Sequence, residues 1–346
     1  MGRRPSRGVQ SVTEDVIGVG VAGFWHVHAD DYARETEAHP GTRVAAAWDD
    51  APGRAREGAA RWDVERAESL DALLAHPGVD AITVTTATAD HTGVIGRAIE
   101  AGKHVFTEKL LAPTVAESQR LADAAAAKGV ALVVSLPQLT NPVMVAAADL
   151  VDRGTLGAVT YARVRMAHDG WLTGSLPDRF ADPVAAIGGA FTDLGCHPAY
   201  LVQRLLGAYP ERVSAVYTRV TGREVEDNAV VVAAYPDGAL GVAEASFVTT
   251  PGALAMEVRG TEASLLHGFG RGGLHAKGGP FGDEWVPVPL HPPPPTPFEL
   301  WVDAIRGRAD ASANVSAAID LTRFIVAANT AAAANPRAGF DPEGPS

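Results

Sequence analysis

The most constraining feature of the chain is V-I-G-V-G-V-A-G at residues 16–23, which spaces Gly18, Gly20 and Gly23 as G-x-G-x-x-G. The pattern ends an apolar run and suits a strand that turns tightly into a helix. In such a unit the first glycine permits the turn, the second lets a pyrophosphate approach the backbone, and the third lets helix and strand pack closely. Free N–H groups at the helix N-terminus then face the phosphates. With 36 glycines in 346 residues, the pattern alone is equally an ordinary glycine turn. A second apolar run, V-A-A-A-W at 44–48, ends in Asp49 and Asp50, about 26 residues beyond Gly23. A carboxylate there accepts hydrogen bonds from an adenosine ribose and repels a 2′-phosphate. Asp49, nearer the strand, is the expected ribose ligand, and NAD is expected in preference to NADP.

From residue 14 to 136 strand and helix patterns alternate. Strands are expected at 15–19, Thr42–Trp48, 81–85, His104–Thr107 and 131–135, and helices at 27–39, 52–61, Leu70–Ala75, 92–101 and Val115–Lys128. That alternation implies a parallel sheet with right-handed crossovers. After a helix at 143–153 the period changes to two, over 159–166, 213–220, 229–235, 240–247, 254–259 and 264–267, with a Pro236-Asp237-Gly238 turn. A second, α+β domain with an antiparallel or mixed sheet is expected over 137–346. Residues 292–297 are rich in proline and cannot continue a sheet. Helices follow at 298–306 and 315–334, the last able to pack back on the first domain. Residues 1–13 read as a disordered leader, because their paired arginines precede no apolar stretch of an export signal.

Bulk properties remove several functions. A net charge of −12 argues against nucleic acid as a partner, since that requires a basic face. The lone Cys196 allows no internal disulfide and no thiolate zinc cluster, which points to a reducing, cytoplasmic compartment. No run approaches the roughly 18 apolar residues of a membrane span.

Three segments carry candidate chemistry. T-V-T-T-A-T-A-D-H at 83–91 leaves the carboxyl end of a strand, where open parallel sheets bind ligands. It offers Thr86 and His91 to a cofactor, His91 being equally suited to start a helix. G-K-H-V-F-T-E-K at 102–109 delivers Glu108 and Lys109 to the same edge. G-G-A-F-T-D-L-G-C-H at 188–197 places Asp193 and His197 four apart, on one face if the segment is helical. A metal would need a third ligand, and with no companion motif none is expected.

Taken in order, G-V-G-V-A-G, V-D-A-I-T-V-T-T, H-T-G-V-I-G-R-A-I-E-A-G-K-H-V-F-T-E-K, G-G-A-F-T-D-L-G-C-H-P and E-D-N-A-V-V resemble the Gfo/Idh/MocA family over residues 14–330. The resemblance implies α/β plus α+β architecture, an N-terminal Rossmann domain with a C-terminal open-faced mixed β-sheet domain. It implies hydride transfer between a sugar or polyol hydroxyl carbon and nicotinamide C4, with Lys109, Asp193 and His197 as the catalytic set. In that set His197 is the general base, Asp193 orients it or holds substrate, and Lys109 stabilises the alkoxide. Leu110 departs from the family's proline after the lysine. Arg165, His168, Asp169 and Trp171, from R-M-A-H-D-G-W, are expected to wall the substrate pocket, with Gln138 and Asn141 as weaker contacts. His26 and His28 could touch cofactor or substrate, or line the first helix turn; Asp227 and Asn228 are expected to support the second sheet. A homodimer or homotetramer through the outer sheet face is implied. Two other outcomes share these residues: glycoside cleavage or epimerisation by transient oxidation with tightly held NAD, and a non-catalytic nucleotide sensor.

Overall fold

The computed structural model describes residues 16–207 and 209–334. The expected leader at 1–13 lies outside them, as does Asp15 of the first expected strand.

The first sheet is built from β1 (Ile17–Ala22), β2 (Thr42–Trp48), β3 (Glu65–Arg66), β4 (Ala81–Val84), β5 (His104–Thr107) and β6 (Leu132–Val134). Between them run α1 (Ala29–Ala38), α2 (Pro52–Trp62), α3 (Leu70–Ala75), α4 (His91–Glu100) and α5 (Val115–Lys128). The strands pair in parallel in the order β3-β2-β1-β4-β5-β6. Every residue of β1, β4 and β6 is buried, as strands covered on both faces require. Helix ends follow local chemistry. Thr114 accepts the Glu117 N–H to start α5, and Gly129 ends it in the left-handed conformation. The order reverses between β1 and β4, so a crevice opens at the carboxyl ends of those strands.

The glycines of the opening motif do not all serve the turn. Gly18 and Gly20 lie inside β1, and only Gly23, at φ +101°, stands where the chain leaves the strand. A Cβ on Gly18 would come within 1.8 Å of the Gly78 carbonyl oxygen. One on Gly20 would press on Leu73 and Val79. These two glycines admit the α3–β4 connection against the strand.

The second unit begins with α6 (Pro142–Asp152), whose first turn is capped by Asn141 rather than leaving that residue free for substrate. Then come β7 (Val159–Ala167), α7 (Gly170–Thr173), α8 (Ala190–Asp193), α9 (Cys196–Leu206), β8 (Arg212–Thr218), β9 (Asn228–Ala234), β10 (Leu240–Ser246), β11 (Leu254–Gly260), β12 (Ala263–Gly268), β13 (Arg271–Gly278) and β14 (Val286–Val288). The eight strands form one mixed sheet, β14-β13-β12-β11-β7-β10-β9-β8. Only the β7–β10 pair within it is parallel. α9 packs on one face, while Val216, Val230 and Val232 stand exposed on the other. Buried Asp227 accepts the Val220 and Thr221 N–H groups and so fixes the β8–β9 connection.

The chain then returns to the first sheet. Thr296 and Glu299 form a capping box on α10 (Pro297–Ile305), which drives Phe298, Trp301 and Val302 against Ile17, Val19, Phe106 and Val133. α11 (Ser312–Ala334) lies against α5, α9 and β8. Its Asn314 side chain accepts the Val134 N–H at 2.8 Å and donates to the Val134 carbonyl at 2.9 Å, pairing the edge strand β6.

Gly18→Ala should lower the unfolding free energy by about 1–3 kcal/mol, because the methyl meets rigid backbone. Gly93→Ala, in α4 with open space around it, should raise it by about 1 kcal/mol. Urea unfolding of the two variants checks both signs.

Candidate active site

β5 ends at the crevice, and the Glu108 N–H, donating to the Val84 carbonyl at 2.9 Å, fixes the chain as it leaves the sheet. Glu108 and Lys109 therefore sit at the carboxyl edge, both buried. Lys109 Nζ lies 2.9 Å from Glu108 Oε1 and 2.9 Å from Asp193 Oδ1 of the second domain. Leu110, in the proline position, follows a cis peptide bond and does not draw the ammonium out of the site.

Asp193 is delivered by a short helix held from below. Glu226, buried, accepts the N–H groups of Gly189 and Phe191 at 3.0 Å each and so caps α8. Asp193 and His197 do not share a helix. Asp193 ends α8 and His197 opens α9, with the break at Leu194–Gly195. A Cβ on Gly195 would collide with the Phe191 backbone, so the break requires glycine. Asp193 turns to Lys109 and His26, whereas His197 Nδ1 pairs with the Tyr200 hydroxyl at 2.8 Å.

His26 closes the cluster. Its Nδ1 accepts the His28 N–H at 3.2 Å, which leaves the proton on Nε2, directed at Asp193 Oδ1 3.0 Å away. The Tyr32 hydroxyl donates to Glu108 Oε2, and His28 Nδ1 lies 3.4 Å from Oε1. Ligand atoms on His26, His28 and Glu108 lie within 4.8 Å of one another. The Lys109 ammonium lies 2.9 Å from Glu108 Oε1 of that group, so a cation there would meet a charge already in place.

The electrostatics follow from burial opposed by pairing. Burial would lower the Lys109 pKa, but Asp193 and Glu108 hold the ammonium well above its usual value. Burial would raise Glu108, and the Lys109 charge, then His26 and His28, hold it well below. Asp193 is likewise held far below the carboxylate range, against burial, by Lys109 and His26. Burial pulls His28 down, but the Glu108 carboxylate outweighs it, so the imidazole ends above its usual value. His197 has burial and Lys109 both against its charged form and falls to about 3.

The other expected ligands are placed as follows. Asp49 is buried, and its oxygens are taken by the Phe24 N–H at 2.6 Å, the Ala51 N–H at 2.7 Å and Arg54. It braces the first turn instead of facing an open crevice. Thr86 is buried with its Oγ1 unpartnered. His91 is wholly buried, with Nδ1 on the Leu110 carbonyl at 2.6 Å and a pKa lowered by burial to about 4. It pins the segment beyond Lys109. Trp171 is not a pocket wall: it is buried in the core, edge-on to Phe247 and covered by the Arg223 guanidinium. Arg165 donates to Thr249, and Asp169 accepts from Thr250. His168 stacks on Phe247 and feels the Asp193 charge. Gln138 Oε1 accepts from Asn141. Tyr32, Tyr200 and Arg179 enter the site without a sequence signal; Glu226 stands within the quoted E-D-N motif.

Residues 16–136 match the family described as "Oxidoreductase family, NAD-binding Rossmann fold", and residues 144–266 match "GFO/IDH/MocA C-terminal domain". The chain is 28% identical to scyllo-inositol 2-dehydrogenase (NAD(+)) of Bacillus subtilis (strain 168), over 73% of this chain and 72% of that protein. It is 30% identical to dTDP-3,4-didehydro-2,6-dideoxy-alpha-D-glucose 3-reductase of Streptomyces violaceoruber, over 62% of this chain and 61% of that one. Its fold matches the crystal structure of GenD2 from gentamicin A biosynthesis in complex with NAD, at TM-score 0.78 and 26% identity, over 97% and 98% of the two chains.

His91 and His197 are neutral when folded and bind protons near pH 6.5 only when unfolded. Their contribution is intact above pH 6.5 and is lost as the pH falls towards 4 and 3, by about 1.4 kcal/mol per pH unit for each histidine. Urea unfolding between pH 7.5 and 5 should show that slope, and His197→Asn should remove one proton's share of it.

Proposed function

Since the chain belongs to the Gfo/Idh/MocA family of NAD-binding oxidoreductases, we propose that it oxidises and reduces a hydroxyl-bearing carbon of a sugar or cyclic polyol, with Lys109 handling the oxygen-bound proton. The first domain suits a dinucleotide by its own residues. Thr86 Oγ1 is a buried orphan at the crevice edge, and a cavity of about 290 Å³ beside the start of α1 is lined by Arg54, Arg61 and Arg179. Gly23, Thr86 and these arginines would hold NAD, which when bound supplies the hydride acceptor or donor at nicotinamide C4.

The observation that carries the reading is the Lys109 ammonium, buried and shared at 2.9 Å between two carboxylates from different domains. The ammonium donates its proton to a substrate carbonyl oxygen in reduction and is left as the neutral amine, which regains a proton from solvent; in oxidation the amine, its proton first released to solvent, takes the hydroxyl proton as the hydride leaves. Glu108 and Asp193 limit the cost of burying that charge and fix its position. His197 is a weak base at its lowered pKa and is tied to Tyr200. We therefore assign it to binding the substrate hydroxyl rather than to the principal proton transfer.

NADH formation should be measured over inositols, aldoses, deoxysugars and glycosides, with keto sugars and NADH in the reverse direction. We expect turnover with at least one class, and a kcat loss of about 10²–10⁴-fold in Lys109→Ala with NADH affinity little changed. Silence across the panel with nucleotide retained on the purified protein would favour transient oxidation instead.

The partner we propose is a second copy of the chain. On the outer face of the second sheet Val216 faces Val230, and Val232 lies on the same strand as Val230. All three are exposed, as is Leu240 on the neighbouring strand. Val230→Lys with Val232→Lys should convert the assembly to a monomer in sedimentation; a monomeric wild type would end this reading. The cytoplasm is the proposed compartment, on the free, buried Cys196. No helix among the described residues is long and apolar enough to cross a membrane.

A further inference from the structure

We propose that Arg179, reaching across from the second domain, clamps the diphosphate bridge of the dinucleotide. Its Nε donates to the Trp25 carbonyl in the first βα turn, at 2.5 Å. The guanidinium lines the cavity formed by Phe24, His26, Val27 and Ala29, which are the turn and the first residue of α1. In a sheet of this strand order, that turn is where a dinucleotide places its pyrophosphate.

The three arginines of the cavity differ in what they already hold. Arg54 is paired with Asp49 and Asp50, and Arg61 with Asp30. Arg179 has no carboxylate partner among the described residues, in a chain whose net charge is −12. Its Nη groups are therefore free of acid, and a planar fork of this kind matches two phosphate oxygens at once. Burial, and then the nearby Arg54 charge, push the Arg179 pKa down against the pull of Asp49. Asp30 and Glu57 also line the cavity, and an anion between the arginine forks would repay the burial of the Arg179 charge.

The segment carrying Arg179 touches both sides of the crevice. The Phe180 ring lies 4.7 Å from the Trp25 ring and 5.3 Å from that of His26. Farther along, the Ala185 carbonyl accepts the Ala89 N–H at 3.1 Å, in the loop after β4. The two loops so contacted are those that flank the switch between β1 and β4. A cation supplied from this segment makes dinucleotide affinity depend on the second domain, although the binding fold is the first.

Arg179 can act in this way only if the dinucleotide reading of the first domain holds. The test is calorimetric titration of the full-length protein with NADH and with ADP-ribose, for wild type, Arg179→Gln and Arg179→Lys. Arg179→Gln keeps a donor for the Trp25 carbonyl and removes the charge. Both ligands should bind about 10–100-fold more weakly to it, the range for hydrogen bonds between charged groups, and Arg179→Lys should recover part of the loss. Wild-type affinity should fall with added salt more steeply than that of Arg179→Gln. Thermal unfolding confirms that the variants are folded; where Arg179→Gln is not, the Arg179→Lys affinity and the wild-type salt dependence decide. Arg179→Gln and Arg179→Lys both binding NADH within twofold of wild type would overturn the clamp and leave Arg179 a tether for Trp25. A wild type that binds neither ligand would overturn the dinucleotide reading itself.

Discussion

The structure depends on one buried ammonium. Lys109 comes from the end of β5, Asp193 from the end of α8, and the two meet at 2.9 Å across the boundary between the sheets. Burying an ion is costly, and a buried pair holds only where further hydrogen bonds satisfy what the pair leaves over. Here Glu108 takes the other side of the ammonium, Tyr32 donates to Glu108 Oε2 while His28 stands as an ionic neighbour of Oε1, and His26 donates to Asp193. Each carboxylate thus has partners from more than one element. The result is a network that joins the two domains and fixes the position of the charge.

Much of the first domain was legible because its strands are covered on both faces, so short apolar runs such as A-I-T-V mark them without ambiguity of register. The glycines were not legible. A glycine that lets a neighbouring backbone approach a strand, as Gly18 and Gly20 do, reads the same as one that makes a turn. β13 and β14 gave little signal, since the first is R-G-G-L-H-A-K-G with only Leu274 and Ala276 buried, and the second spans three residues. At the site, the residue types at 108, 109, 193 and 197 stood out, but their wiring did not. A spacing of four is common to one helix and to two helices broken at Gly195, and only the fold distinguishes them. Asp49 likewise stands where a ribose ligand is expected, yet the Phe24 and Ala51 N–H groups engage it first.

The histidines show how placement sets chemistry. His26, His28, His91 and His197 all lie near the ion cluster, and their environments drive them apart. His28, half exposed beside Glu108, is drawn towards its charged form. His91 and His197, enclosed, are pushed towards the neutral form. His28 also lines a cavity between α1 and α10, so of the four it stands nearest to solvent.

The return of α10 and α11 to the first sheet has a consequence for where the first domain ends. Two separate family descriptions match parts of the chain, as if its halves were modules, yet Trp301 and Asn314 from the end of the chain complete the packing and the edge of the beginning. A cut near residue 136 would yield a nucleotide-binding half with an open apolar face and an unpaired strand. The residues that close the first sheet thus lie in neither matched region, and the two descriptions together still leave out part of what holds the first one shut.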